Sequence, residues 1–333
     1  AAAPAQQAPT ETDPMLVLNE SDLRATLDTA SCIEAMRTVF IDLANDAYFT
    51  PLRMRVHPGE GPNGMTFMPT LRKRAPRRWA MKQMVVTPSN PARHGLDPLQ
   101  GTVLLHDGDD GRLLAIAHAP TLTTLRTAAV SALATQTLAQ AGARIVTILG
   151  IGVQGRSHVA AMRHILPDAT IRVWGRTPEK TRRFAEQHGC EPADSIQAAL
   201  RDADVVCTVT AALEPIVQRN WIKPGCHLNA VGSSHATARD AATVAASKLF
   251  VDRREGALGE SGDVIGALRE GAITPEHIQA ELGEVLTGRH PGRRSAGEFT
   301  LYKSLGMGAQ DLAAIELALH NAQRLGRGVA VDW

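Results

Sequence analysis

The sequence lacks several features that would assign it to common protein classes. No window approaches 18 consecutive apolar residues, which excludes a transmembrane helix. Its 35 basic and 34 acidic residues leave a net charge of +1, so no global field attracts nucleic acid or an anionic membrane surface. We therefore predict a protein with neither a nucleic-acid nor a membrane partner.

Cysteines are few and widely separated along the chain. The four, Cys32, Cys190, Cys207 and Cys226, show no Cys-x-x-Cys spacing, and the last two lie within apolar, strand-like runs. This pattern is typical of buried thiols in a reducing compartment rather than of a disulfide framework or a zinc site. It predicts a cytoplasmic protein without a metal ion.

Residues 1–14 consist mainly of Ala, Pro, Gln and Thr and show no apolar periodicity. They lack the basic and apolar regions of an intact signal peptide. We interpret them as a disordered extension, and a mature end left after export stays open as an alternative.

The length of 333 residues suggests about two domains. Up to residue 125 the pattern indicates antiparallel β structure with one amphipathic helix. Helical spacing is continuous over residues 23–43, and the proline- and glycine-rich residues 58–69 predict a loop. Strands are predicted at residues 15–18, 53–56, 79–86, 102–106 and 113–117, the last two joined by a hairpin turn.

Beyond that block strands alternate with helices. An alanine-rich helix at residues 123–138, ended by Gly142, leads into this region, and an amphipathic helix is predicted at residues 311–325. The intervening strands are predicted at residues 144–149, 170–174, 204–209, 226–231 and 248–252. The alternation predicts a Rossmann-type doubly wound parallel sheet, so the fold class is α/β with an additional α+β domain.

A glycine-rich turn follows the first strand of this sheet. Gly150, Gly152 and Gly155 form a Gly-x-Gly-x-x-Gly pattern between the buried strand and a helical segment. Such glycines permit the tight turn, the approach of the backbone to phosphates and the close packing of helix on strand. The free N–H groups at the helix start then face an anion. The motif favours a nicotinamide or flavin nucleotide site over a plain βα turn.

The end of the second strand bears on the choice of nucleotide. An acidic residue there holds the ribose 2′-hydroxyl of NAD, whereas an arginine accommodates a 2′-phosphate. This strand ends in Trp174, Gly175, Arg176 and Thr177, without a carboxylate. The sequence therefore favours NADP, with NAD possible as the cofactor. A surface arginine at a helix start is the alternative interpretation.

Three charged residues outside the nucleotide unit are candidates for chemistry: Arg53, Lys82 and Arg126. Lys82 lies within an apolar strand, where an unpaired ammonium is costly to bury. A strand whose alternate side chains face solvent would explain the position of Lys82 equally well. Arg126 lies in the alanine-rich helix, where a charge is unexpected.

Six short motifs together resemble the ornithine cyclodeaminase/mu-crystallin family over about residues 15–325. They occur in the order residues 126–132, 150–158, 229–232, 260–263, 280–285 and 303–306. The resemblance implies a homodimer with a small-molecule imino or amino acid substrate. It also implies that residues 15–125 and 306–333 form a substrate-binding and dimerisation domain, with residues 126–305 as the NAD(P)-binding Rossmann domain.

The resemblance also implies roles for individual residues. Arg53 and Arg126 match the arginines that hold the substrate carboxylate, which two guanidinium groups can do bidentately. Lys82 matches the lysine at the reacting end, and two neighbouring arginines should lower its pKa. With the glycine turn and the strand end, the predicted cofactor site comprises Thr127, Gly150, Gly152, Val153, Gln154, Gly155, Arg176, Thr177, Thr208, Val209, Thr210, Val231, Gly232, Ser304 and Leu305.

One departure from the family pattern distinguishes its branches. Cyclodeaminases and related alanine dehydrogenases carry an aspartate where this sequence has Ser234, followed by His235. A serine at its ordinary pKa cannot replace a carboxylate as acid and base, and His235 as a substitute stays an alternative. The departure favours the ketimine reductase (mu-crystallin-like) branch.

The predicted function is the NAD(P)H-dependent reduction of α-imino acids. Cyclic ketimines such as Δ1-pyrroline-2-carboxylate or Δ1-piperideine-2-carboxylate would yield proline or pipecolate. The alternatives are an ornithine cyclodeaminase that makes proline and ammonia, an alanine or N-alkyl amino acid dehydrogenase, and a crystallin-like ligand-binding protein without turnover.

Overall fold

The computed structural model describes residues 14–59, 63–212, 214–232 and 240–332. Within these ranges the chain builds two eight-stranded sheets. None of the described helices combines the length and the apolar character needed to cross a bilayer. Cys32, Cys207 and Cys226 are buried thiols and Cys190 is half-buried; the cytoplasmic location stays a prediction.

The first part of the chain is mostly antiparallel β structure with helices on one face; its first and seventh strands pair in parallel, unlike the predicted antiparallel pattern. Its strands are β1 (Met15–Leu18), β2 (Tyr48–Phe49), β3 (Met54–Val56), β4 (Gly64–Arg72), β5 (Arg78–Val86), β6 (Leu99–Asp107) and β7 (Leu113–His118). Its helices are α1 (Glu20–Thr26), α2 (Thr29–Ala44), α3 (Asn90–Arg93) and α4 (Ala119–Leu138).

The second part alternates strand and helix. It comprises β8 (Ile145–Leu149), α5 (Val153–Ile165), β9 (Thr170–Trp174), α6 (Pro178–His188), β10 (Glu191–Pro192), α7 (Ile196–Leu200), β11 (Val205–Thr208), β12 (His227–Val231), α8 (Ala241–Ala245), β13 (Lys248–Val251), α9 (Arg254–Glu260), α10 (Gly262–Arg269), β14 (Ile278–Glu281), α11 (Leu282–Leu286) and β15 (Thr300–Ser304). The chain then returns to the first part through α12 (Gly308–Leu325) and β16 (Val329–Val331).

The two sheets differ in strand direction. The first has the order β16-β1-β7-β6-β5-β4-β2, with β3 paired to β4. The second, β10-β9-β8-β11-β12-β15-β13-β14, is parallel throughout. Its first five strands follow the Rossmann order. The last strand of this sheet in sequence, β15, lies between β12 and β13. The predicted α/β class is confirmed, and the domain boundaries at residues 125/126 and 305/306 stay a prediction.

Three predicted elements were wrong in their bounds. The helix expected over residues 23–43 is two helices, because Asp28 accepts a hydrogen bond from Ser31 N and starts α2 afresh. The predicted loop at 58–69 becomes strand β4 from Gly64 onwards, with Pro69 inside it. The alanine-rich helix begins at Ala119 rather than residue 123 and ends at Leu138, before Gly142.

Helix α4 connects the two sheets and lies in the core. Its small side chains let it pack closely against α2 and α5, and most of its residues are buried. An apolar helix of this kind is buried on every side. Arg126 is its single charged residue and is only 3% exposed, so the charge must be compensated inside the protein.

Candidate active site

A cleft of about 820 Å³ separates the first sheet from the carboxyl ends of β11, β12 and β15. One wall is formed by β3, β4 and β5, and α4 contributes Thr123, Arg126 and Thr127. The carboxyl edge of a parallel doubly wound sheet is where ligands bind in this fold. The cleft therefore brings the edge of the nucleotide-binding sheet to Arg53, Lys82 and Arg126.

Lys82 points into the protein, not to solvent. In β5 it shares the buried face with Ala80 and Met84, and its side chain is 4% exposed. Its Nζ donates to Asp311 Oδ1 at 3.1 Å and to Thr123 Oγ1 at 3.3 Å. The alternative that this strand turns the ammonium outwards is excluded.

Asp311 joins Lys82 to Arg126. Its Oδ2 lies 2.9 Å from Lys82 Nζ, and its Oδ1 accepts from Arg126 Nε at 3.1 Å. Arg126 Nη1 also donates to Gln310 Oε1 at 2.8 Å. Asp311 lies in the first turn of α12, where the helix dipole stabilises a carboxylate. One buried anion thus faces two buried cations.

The pKa of Lys82 is lowered to about 8. Burial is the largest cause, because it disfavours the charged ammonium. Asp311 opposes the shift, and Arg126 and Arg53 add to it. The predicted direction was right, but its main cause is burial rather than the two arginines.

Arg53 also lines this cleft. It lies just before β3, and its Nε is 2.7 Å from Glu260 Oε2. Its Nη2 donates to the carbonyls of Leu305 and Gly306, at 2.9 and 3.0 Å. Gly306 has φ +80°, and a Cβ there would lie 2.7 Å from the guanidinium of Arg126. The turn after β15 therefore requires glycine so that both arginines can approach it.

Each of these arginines keeps one terminal nitrogen for a ligand. Within the described ranges, no protein acceptor contacts Nη1 of Arg53 or Nη2 of Arg126. Their Nε atoms donate to Glu260 and Asp311, and their remaining terminal nitrogens donate to backbone carbonyls in Arg53 and to Gln310 in Arg126, so the two guanidinium groups are held in place. Such preorganised donors suit a carboxylate.

The glycine turn has the geometry that a dinucleotide needs. Gly150 has φ +127°, and a Cβ at Gly155 would lie 2.1 Å from the Gly150 carbonyl oxygen. A Cβ at Gly152 would meet no atom within 4 Å, so open space lies before the first turn of α5. Gln154 Oε1 is buried without a partner among the described residues. An open anion-binding helix start and an unsatisfied buried acceptor fit a bound nucleotide.

The other predicted cofactor residues lie in three places. Eight line the cleft: Thr127, Gln154, Val209, Thr210, Val231, Gly232, Ser304 and Leu305. Thr208 is buried at the end of β11, and Val153 is 47% exposed at the start of α5. Arg176 and Thr177 lie exposed after β9, outside the cleft lining. Ser234 and His235 lie outside the described residues.

Sequence reasoning missed the acidic partners of the three cations. Glu260 belongs to one of the six family motifs, so the sequence marked its position but did not indicate that it pairs with Arg53. Asp311 lies in the first turn of an amphipathic helix, where an acid usually stabilises the helix start. Arg55, which follows Arg53 by two residues and also lines the cleft, was not singled out.

Comparison with known proteins agrees with this geometry. A sequence profile of the ornithine cyclodeaminase/mu-crystallin family matches residues 14–325. The chain belongs to this family. It is 42% identical over 222 residues to the ketimine reductase mu-crystallin of Mus musculus, covering 66% of this chain and 68% of that protein.

Two solved structures extend the similarity to the whole fold. Thermococcus litoralis Δ1-pyrroline-2-carboxylate reductase, in complex with NADH and L-proline, has a TM-score of 0.90 and 33% identity, covering 95% of this chain and all of that one. The iminosuccinate reductase of Paracoccus denitrificans, in complex with NAD+, has a TM-score of 0.87 and 26% identity, covering 96% of this chain and all of that one.

Proposed function

We propose that this family member reduces α-imino acids with a reduced nicotinamide nucleotide. Cyclic ketimines such as Δ1-pyrroline-2-carboxylate or Δ1-piperideine-2-carboxylate are the substrates, and proline or pipecolate are the products. The observation that carries the proposal is a buried lysine of pKa about 8, flanked by two held guanidinium groups in the cleft. The names of the similar reductases support the same reaction.

The residues of the cleft have different roles in the reaction. Arg53 Nη1 and Arg126 Nη2 bind the substrate carboxylate, which fixes the imine carbon and nitrogen relative to Lys82. When bound, the reduced nicotinamide supplies a hydride to the imine carbon. Lys82 Nζ donates the proton that the imine nitrogen requires, and a pKa of about 8 suits proton transfer near neutral pH.

The nucleotide in this proposal is NADPH. The similar solved structures hold NADH or NAD+. Here the end of β9 carries Arg176 and Thr177 instead of a carboxylate, and no described residue forms an ion pair with Arg176. Thr177 precedes α6 and makes no side-chain cap bond to it. Both side chains are therefore available to a 2′-phosphate.

The protein in this proposal is a homodimer that associates through the first sheet. The face of β4 and β5 opposite Lys82 presents the register pairs Leu71–Trp79, Pro69–Met81, Phe67–Gln83 and Met65–Val85. Trp79 and Val85 are 40% and 39% exposed. A contiguous apolar sheet face of this kind is typical of a protein interface. Sedimentation of Val85→Asp against the unaltered chain tests it, with a monomer expected for the variant.

Turnover with a defined set of substrates tests the reaction itself. Oxidation of NADPH is followed with cyclic imines, with 2-oxo acids plus amines, and with ornithine, while ammonia is assayed in parallel. We expect the cyclic imines to be reduced most efficiently. Ammonia release from ornithine without net oxidation of cofactor would instead assign the chain to the cyclodeaminases.

A further inference from the structure

The register of the first sheet arranges the cleft wall in rows. Lys82 pairs with Met68 across β5 and β4, and the next row on the same face is Arg55, Thr66 and Met84. All five residues line the cleft. Rows of one face are two residues apart, or about 7 Å along the strand. Arg55 thus lies one row further out than the reacting lysine.

Arg55 differs from the other cations of the cleft in having no described acid in direct contact with it. Arg53 is paired to Glu260, and Lys82 and Arg126 share Asp311. Among the residues that the structure describes, none forms a hydrogen bond or an ion pair with the Arg55 side chain. The Arg55 residue is exposed to the cleft; desolvation and the charge of Arg53 lower its pKa, and the nearby charge of Glu260 opposes that shift.

A bound anion would supply the contacting acid that Arg55 lacks. The carboxylate next to the imine already has Arg53 Nη1 and Arg126 Nη2 as donors, so Arg55 is left for a second acidic group. Beyond the Arg55 row the wall continues as Gly64, Val86 and Leu99, which are uncharged, and His57 lies beside Gly64 as the one imidazole of the cleft lining. Arg55 is therefore the cation nearest to the outer end of an elongated substrate.

We propose that Arg55 is a specificity-determining residue that binds a second carboxylate, so that imino dicarboxylates are preferred over imino monocarboxylates. The inference rests on the proposed function and names its substrate class. The reaction is unchanged: the imine carbon receives a hydride from NADPH, the nitrogen receives a proton, and NADP+ leaves. Only the distal carboxylate distinguishes the preferred substrate, and it takes no part in the bond changes.

Matched pairs of imines measure this preference directly. One pair is Δ1-piperideine-2-carboxylate and Δ1-piperideine-2,6-dicarboxylate. The other consists of the imines that pyruvate and oxaloacetate form with ammonia. For each pair the ratio of kcat/KM, diacid over monoacid, is measured for the unaltered chain, Arg55→Met, Arg55→Lys and the surface control Arg269→Met.

We expect the unaltered chain to prefer the diacid in at least one pair. Since a charge-assisted hydrogen bond is at stake, Arg55→Met should lower that ratio about ten- to hundredfold. Arg55→Lys should retain part of the preference, and Arg269→Met should leave the ratio unchanged. A preference for the monoacid in both pairs, or an equal ratio in Arg55→Met, overturns the inference.

Three further outcomes can be distinguished from these. A raised KM for NADPH in Arg55→Met with an unchanged ratio would assign Arg55 to the nucleotide and contradict the inference. Reduction of the diacids without any dependence on Arg55 contradicts the inference alone. If none of the imines is reduced, the proposed function fails as well.

Discussion

Lys82 Nζ lies 2.9 Å from Asp311 Oδ2, in a contact that joins β5 to the first turn of α12. Both side chains are almost wholly buried, and the two residues are 229 positions apart in sequence. The carboxylate stabilises the ammonium that burial disfavours, so it keeps the pKa of Lys82 from falling further. Asp311 therefore sets the pH range in which Lys82 holds a proton.

Replacement of Lys82 by methionine should cut turnover and spare nucleotide binding. Methionine fills a similar volume in the buried face of β5 but cannot donate a proton. We expect kcat for ketimine reduction to fall about 10²- to 10⁴-fold, as for loss of a general acid. The Kd of NADPH, measured by fluorescence titration, should stay close to that of the unaltered chain. Turnover equal to that of the unaltered chain would show that Lys82 is not the proton donor.

The pH dependence of reduction follows from the same group. A lysine of lowered pKa is protonated below that value and neutral above it, so the proton donor is lost as pH rises through about 8. We expect kcat/KM for a cyclic ketimine to fall on the alkaline side with that midpoint. Profiles from pH 6 to 10 on the unaltered chain measure it. Constant kcat/KM across pH 8 would contradict the assignment.

Asp311→Asn should move this alkaline limb. The amide keeps the shape but removes the charge that raises the pKa of Lys82, so the midpoint should shift to lower pH. Two buried cations also lose their partner, and a loss of about 3–5 kcal/mol in the free energy of unfolding is expected. Denaturant unfolding measures the loss of stability. The pH profile of kcat/KM, recorded on the folded fraction, measures the shift of the midpoint. An unshifted limb would assign Asp311 a purely structural role.

The glycine turn could be predicted from sequence because its requirements are local. The tight turn at Gly150 and the close packing at Gly155 depend on residues only a few positions apart. The orientation of Lys82 could not be predicted, because a short apolar strand does not reveal which of its faces is buried. The buried face of β5 is determined by its pairing with β4 and β6 and by the packing of α12, whose Asp311 lies 229 residues further along the chain.

The helix predicted over residues 23–43 is divided for a different reason, which is local. Apolar spacing continues from Leu23 to Leu43, and periodicity alone gives no reason for an interruption. Asp28 accepts hydrogen bonds from Ser31 and starts a new helix. The roles of the two missed acids could not be predicted, because Glu260 and Asp311 pair with arginines that are distant in sequence.

Two alanine substitutions in the glycine turn should have opposite consequences. At Gly155 a Cβ would lie 2.1 Å from the Gly150 carbonyl oxygen, so Gly155→Ala should lower the Tm and with it all activity. At Gly152 a Cβ would meet only open space, so Gly152→Ala should fold normally. Its methyl group then occupies the approach to the helix start, and we expect the Kd of NADPH to rise at least tenfold. Thermal unfolding and nucleotide titration on both variants separate the two effects, and equal NADPH affinity in Gly152→Ala would contradict the site.

The choice between NADPH and NADH should depend on Arg176. Its guanidinium is exposed at the end of β9, without an ion-pair partner in the described part of the chain. Loss of one charge-assisted contact to a 2′-phosphate should cost about 1.5–3 kcal/mol, which is about ten- to hundredfold in kcat/KM. Arg176→Ala should therefore lower kcat/KM for NADPH by that factor while kcat/KM for NADH changes little. The exposed Arg183 of α6 provides a matched control, since Arg183→Ala removes a nearby charge without touching the strand end. Equal efficiency of the unaltered chain with NADH and NADPH would contradict the NADP preference.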